Sequence, residues 1–310
     1  MNFIPAQRSE NSPYLQLLML VCYAIVGIVI GSLLSFAVIF CFYGTAAFSE
    51  LSSIEGENDK YITVLKISQI LTTGFMFILP PVLLARTERM KLKDFYGFKK
   101  PQFLLVLIVI LIMVCAMPFM EWVQLANQKM VLPAFLKPVE DWMRLKEEQM
   151  MKMTILLLRN DHSWDFFINL FMIALLPAFA EEFIFRGAIQ RSFIRLFKNP
   201  HVAIWTTAII FSAIHIQFFG FFPRMLIGAG LGYIYWWTGS LWYTMLAHFI
   251  NNGYAVCLAW YMQEHQIPLD NLDNASNFTW YQYLISLFLS LFLFKFLQYR
   301  TLQRDGKQLD

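Results

Sequence analysis

The chain has 310 residues, of which 58% are hydrophobic, 17% aromatic and only 15% charged, with a mean hydropathy of +0.53. An ordinary soluble domain carries about a quarter charged residues, so this composition excludes a soluble enzyme, a disordered chain and a disulfide-built secreted scaffold, and it points to a bilayer as the solvent. The net charge of +3 is spread over short loops, with no basic arm to neutralise phosphates, which argues against nucleic acid as a partner.

A helix needs roughly 20 apolar residues to cross a hydrocarbon core about 30 Å thick, because each residue rises about 1.5 Å. Eight segments reach or approach that length, at about 15–47, 62–85, 102–120, 165–184, 201–219, 222–238, 240–262 and 278–297. The expected fold is therefore all-α, a polytopic membrane bundle of about eight transmembrane helices. The first run is too long for the core of a cleavable signal peptide and reads as a retained helix; within it, Gly27-x-x-x-Gly31 can mark a helix contact face. Cys22, Cys41, Cys115 and Cys257 all lie in apolar runs and read as small buried hydrophobes rather than a disulfide or zinc framework. Lys66, just inside the second segment, is expected to snorkel to the interface.

Residues 121–164 break the pattern with six basic and six acidic groups. Within them Trp142, Leu145, Gln149, Met150, Met153, Leu156 and Leu157 recur at helical spacing, with Glu140/Arg144 and Glu148/Lys152 at i,i+4 on other faces. That predicts an amphipathic helix lying on the membrane surface. The run Gly228-Ala-Gly230-Leu-Gly232 lies inside an apolar segment, so close helix packing is expected of it rather than a phosphate loop. The chain divides into 1–164 with the first helices and the amphipathic segment, 165–262 with the polar intramembrane residues, and 263–310 with the last helix and tail.

Orientation follows from Lys and Arg, which are retained on the cytoplasmic side. Arg86, Arg89, Lys91, Lys93, Lys99 and Lys100 follow the second segment, Arg186, Arg191, Arg195 and Lys198 follow the fourth, and Lys295, Arg300, Arg304 and Lys307 lie at the C-terminal end. Alternating helices put all three groups on one side, so both termini are expected in the cytoplasm, with the protein multi-pass in the plasma (inner) membrane. Opposite them, residues 49–60 carry one Lys and residues 263–277 carry no Lys or Arg.

Ionisable groups inside membrane segments are costly and mark functional sites by default. Glu181-Glu182-Phe-Ile-Phe-Arg186 places Glu182 and Arg186 at i,i+4 in the favourable order, so Arg186 is expected to hold Glu182 while Glu181, about 100° around the helix, stays free for proton transfer. Phe211-Ser-Ala-Ile-His215 puts one His in the fifth segment, and His248-Phe-Ile-Asn251-Asn252 puts His248 and Asn252 on one face of the seventh. A Glu and a His can activate one water while a second His and an Asn amide serve an oxyanion, which is peptide hydrolysis. Equally, Glu181, His215 and His248 could form an open three-ligand zinc site.

These three motifs resemble those of the CPBP (ABI) family, the membrane proteases that include the type II CAAX prenyl endopeptidases and bacterial bacteriocin-processing and immunity proteins. The family pattern is Glu-Glu-x-x-x-Arg, Phe-x-x-x-His and His-x-x-x-Asn, matched here in order over about 165–262 without departure at the motif positions. The resemblance implies an intramembrane endopeptidase that opens toward the cytoplasmic side and acts on a peptide or protein substrate at the membrane. It further implies that Glu181 and His215 activate the water, that Arg186 orders the Glu181/Glu182 pair, and that His248 and Asn252 stabilise the oxyanion. Zinc is an alternative cofactor and a metal-free mechanism the other. A non-proteolytic scaffold or immunity protein of the same family is the competing function, and a proton-coupled transporter a third. The segment limits conflict with the site at one point: if the fifth helix enters the bilayer at His201, His215 lies about 21 Å deeper, away from a Glu181 at the end of the fourth. Either the fifth helix begins outside the lipid or the fourth continues past Arg186.

Overall fold

The structure is a computed structural model that describes residues 10–44, 59–160, 162, 164–269 and 278–304; the acidic stretch before Asp59 and most of the segment after Ile267 lie outside these. Among the described residues the regular elements are all helical. They are α1 (Pro13–Tyr43), α2 (Asp59–Thr87), the short α3 (Leu92–Tyr96), α4 (Phe103–Gln128), α5 (Lys137–Leu158), α6 (Asp165–Phe197), α7 (Pro200–Ala213), α8 (Phe221–Thr238), α9 (Leu241–Glu264) and α10 (Trp280–Arg304).

Five of these, α1, α2, α4, α6 and α10, are long and apolar enough to cross a bilayer. The chain is a helical membrane bundle whose outer helices turn large apolar residues such as Leu18, Val21, Ile25, Leu33, Leu111 and Phe292 outward, the inverse of a soluble protein. The other three expected segments are helices too, but α7 has only 14 residues, and α9 carries His248, Asn251 and Asn252 in its middle. Each buries one side and turns another outward, with Trp205, Ile209, Phe222 and Tyr254 exposed.

Local sequence sets the helix limits. Ser12 caps α1, accepting from the Leu15 N–H, with Pro13 in the first turn. Asn199 caps α7, accepting from the N–H groups of His201 and Val202 before Pro200. α8 stops at Gly239, whose φ of 63° is the left-handed conformation that suits glycine.

Packing uses backbone approach and inserted hydroxyls. Gly27 and Gly31 meet α2 within the chain: a Cβ at Gly27 would collide with the Phe75 carbonyl, and one at Gly31 would lie 3.1 Å from that of Leu71. α4 contains Pro118, which disturbs the helical hydrogen-bond ladder. There Ser286 of α10 accepts from the Phe119 N–H at 3.0 Å and donates to the Cys115 carbonyl, docking α10 on the irregular turn.

The fourth segment continues past Arg186 to Phe197, which resolves the conflict in depth. Glu182 stands fifteen residues before the end of α6 and His215 fifteen residues after the start of α7. Because the two helices run back to back from one short turn, both residues lie about 22 Å from it. The two Glu are thus in the interior of a long helix and not at its end.

The basic end of the bundle is tightly stitched. Glu10 pairs with Arg191 and, at 2.7 Å, with Arg195. Glu88 accepts from the Asn11 N–H and from Gln16, while Arg191 lies 4.0 Å over the Phe95 ring. Beneath these, Phe95, Tyr96, Phe183, Tyr235, Leu241 and Met245 form a buried apolar cluster. The Leu241 N–H bonds to the Gly97 carbonyl and the Ser240 hydroxyl to that of Lys99, tying the α3–α4 connection to the α8–α9 turn.

Candidate active site

α6 supplies the two carboxylates, and its backbone is unusual on both sides of them. Wide π-helical turns at Leu170–Leu175 and Phe183–Gln190 flank the α-helical stretch Leu176–Glu182; such turns re-aim side chains and concentrate at functional sites. Pro177 stands in the same stretch and has no N–H for the Ile173 carbonyl four residues earlier. The Asn252 amide of α9 donates to that carbonyl at 3.0 Å. Asn252 is thus bound to backbone that a proline leaves open, and Asn251 donates to its side-chain oxygen at 3.1 Å.

Glu182 and Arg186 are both fully buried and paired at 2.8 Å. The Glu182 Oε1 also faces His248 Nδ1 at 2.8 Å. Since a carboxylate paired with Arg accepts, Nδ1 carries the proton, and His248 turns Nε2 the other way. There it meets the Glu181 Oε2 at 3.8 Å, a carboxylate 12% exposed against none for Glu182. Such a separation can be bridged by one water making two hydrogen bonds of about 2.8 Å.

His215 lies two residues past the end of α7, not inside it. Its Nδ1 donates to the Phe211 carbonyl at 2.8 Å, which leaves Nε2 as an acceptor. The following residue, Ile216, holds φ at 54°, a left-handed conformation that costs a β-branched residue roughly 1–2 kcal/mol and turns the chain sharply behind the imidazole. The Phe211 ring ties the motifs together. Arg186 stacks over it at 4.8 Å, while His215 and His248 meet it edge-on with centroids 5.1 Å and 6.1 Å away.

The glycine run of α8 lets α6 approach. Arg186 donates to the Gly228 carbonyl and Gln190 to that of Gly232, each at 3.0 Å, a two-rung ladder between positions four apart on both helices. A Cβ at Gly232 would come within 2.8 Å of Gln190 Oε1 and Ile204 Cγ2.

Glu181, His215, His248, Asn251 and Asn252 line one cavity of about 450 Å³, together with Gln69, Gln124, Thr154, Leu157 and Arg224. Arg224 is the cation on that wall, and the spacing of the motifs had not marked it as part of the site. One terminal nitrogen donates to Gln217 Oε1 at 2.7 Å and the other is buried without a hydrogen-bond partner among the described residues. The trace it leaves in the sequence is a single Arg opening an otherwise apolar segment. A larger apolar cavity of about 910 Å³ between α4, α8, α9 and α10 shares Gln124, Pro223, Ile227, Leu231 and Asn251 with the first.

The zinc reading requires Glu181, His215 and His248 to converge. Their Nε2 atoms and carboxylate suit zinc chemically, and Glu182 and the Phe211 carbonyl orient the two imidazoles as outer partners would. Among the described residues, however, no three His, Cys, Asp or Glu side chains gather closely enough to hold a metal ion, so the ligand set is not assembled in this arrangement.

With this geometry in view, residues 163–254 match the family model described as type II CAAX prenyl endopeptidase Rce1-like. For that segment, the match supports membership of the CPBP family. The matched segment starts in the connection before α6 and ends within α9, and so covers the residues of the three motifs but not α1–α5 or α10. The chain is also 36% identical over 93 residues to the uncharacterized protein YpbD of Bacillus subtilis (strain 168), a stretch that is 29% of this chain and 44% of that relative. It therefore covers less than half the length of the curated relative it matches. No solved structure matches it.

Proposed function

We propose that the chain is an intramembrane endopeptidase in which Glu181 deprotonates a water that attacks a peptide carbonyl. The reading rests above all on the Glu181–His248 pair, which faces one cavity while Glu182 and Arg186 hold the imidazole from behind. His215 Nε2 accepts the water's second hydrogen bond and aligns it. As the carbon–oxygen bond forms, charge collects on the carbonyl oxygen. It is met by the Nε2–H of doubly protonated His248, whose Nδ1–H stays on Glu182, and by Arg224. Glu181 then passes its proton to the leaving nitrogen as the carbon–nitrogen bond breaks, leaving a carboxylic acid and an amine. Asn252, its amide engaged with Ile173, acts in this reading chiefly as a positioning residue that holds α9 against α6.

The test uses the purified chain in lipid nanodiscs with a quenched fluorogenic peptide library. Glu181→Gln and His215→Ala are each expected to lower cleavage at least about 100-fold, the scale of general-base catalysis, with unchanged melting temperatures. Cleavage by both variants at the parental rate would sink the assignment and favour the scaffold or immunity role. Activity is expected to survive exhaustive chelation; loss that zinc restores would support the ligand set Glu181, His215 and His248.

A further inference from the structure

The catalytic cavity does not extend toward the basic end of the bundle. From His248 back to Leu241, α9 descends about 10 Å through Leu241, Tyr243, Thr244, Met245 and Ala247, all buried. Phe183, adjacent to Glu182, packs edge-on against Tyr96 at 5.0 Å and Phe98 at 5.6 Å, and the Glu10–Arg191–Arg195 cluster seals the surface above. The cavity instead runs the other way, past Asn251 and Asn252 to Gln69, Gln124, Gly220 and Thr154. These belong to the halves of α2, α4, α9 and the α7–α8 turn that lie nearest α5.

Across that mouth lies α5. Its Thr154 and Leu157 form part of the wall, Trp142 packs on Phe218 at 5.3 Å, Arg144 stacks over Phe219 at 4.5 Å, and Glu147 accepts from the Phe219 N–H. Its far end is anchored by Gln263, which donates to the Leu158 carbonyl at 3.0 Å. Nearby, Lys66 is buried and bonded to Asp165 at 3.2 Å instead of snorkelling. The short loops rich in Lys and Arg all lie at the sealed end, and retention of such loops in the cytoplasm places the mouth on the other side.

We propose that the site works from the extracytoplasmic face: its substrate is a peptide segment presented outside the membrane, and α5 is the lid that such a segment displaces from Phe218 and Phe219. This deepens the endopeptidase reading and departs from the cytoplasmic opening that the family resemblance implies.

The experiment uses the full chain in intact cells, with Cys22, Cys41, Cys115 and Cys257 replaced by alanine and one cysteine introduced at a time. A membrane-impermeant charged methanethiosulfonate is expected to label Glu148→Cys on α5 and Gln124→Cys in the cavity wall without permeabilisation, and Lys93→Cys only after it. The reverse order, or labelling of Gln124→Cys only after permeabilisation, overturns the proposal. For the lid, in a protein carrying Trp142→Cys, Phe218→Cys and Gln124→Cys together, joining the first two with a short bis-methanethiosulfonate is expected to slow labelling at Gln124→Cys at least ten-fold, and unchanged labelling removes α5 from that role. Labelling requires no turnover, so a failure of sidedness is read separately from a failure of the peptidase assignment.

Discussion

Glu182 holds two partners with one oxygen, Arg186 and His248, each at 2.8 Å, and it does so with no exposure to solvent. Such an ion pair adds little net stability, because desolvation offsets the attraction, yet removing one partner leaves the other charge buried and unpaired. Arg186→Ala is therefore expected to destabilise the fold by about 3–5 kcal/mol, measured as a lowered melting temperature in nanodiscs. Glu182→Ala/Arg186→Ala together should cost less than the sum of the two single changes. The i,i+4 spacing was enough to expect this pair and to single out Glu181 as the less encumbered carboxylate. Nothing local pointed to His248 as the second partner, since it lies 66 residues away.

At the scale of elements, α6 is organised by a missing hydrogen bond. Pro177 leaves the Ile173 carbonyl to Asn252, so a helix defect becomes an interhelix contact. Pro177→Ala supplies a competing N–H and is expected to lower peptide cleavage several-fold while leaving the melting temperature equal or higher, read from parallel kinetics and thermal unfolding. An equal loss in Asn252→Ala that does not add to that of Pro177→Ala would identify the shared contact. The amphipathic pattern running from Trp142 to Leu157 within residues 121–164 predicted a helix there, found as α5, and its Glu140–Arg144 and Glu148–Lys152 pairs, both present. Part of its apolar stripe, Trp142, Leu145 and Met150, remains exposed, as a helix at the lipid interface requires. Its station over a cavity depends on contacts with Phe218 and Phe219, which periodicity cannot foretell.

For the whole molecule, the sealed basic end makes stability depend on pH. Burial alone would raise the Glu10 carboxyl, but the Arg191 hydrogen bond and charge, with Arg195 and Gln16, outweigh it and hold the group below its ordinary 4.5. A carboxyl depressed in the folded state adds stability that is complete above its ordinary value and is lost as pH falls through the folded one. The melting temperature should therefore drop as pH is lowered from about 5 through that range. Glu10→Gln should melt lower at pH 7 and show a shallower acid slope, and identical slopes in both proteins would contradict the role of this cluster.

Membrane residence, the helical class, the positions of the main helices and the three polar motifs were all legible in the sequence. Each rests on local properties: runs of apolar residues long enough to span lipid, and charges too costly to leave there without use. The end of α6, the placement of Arg224, the burial of Lys66 and the direction in which the cavity runs were decided only by the tertiary structure. These depend on which side chains distant segments bring together. The Tyr96–Phe183 contact that helps close one face and the Trp142–Phe218 contact that covers the other each join residues 76 or more positions apart, beyond the reach of any local pattern.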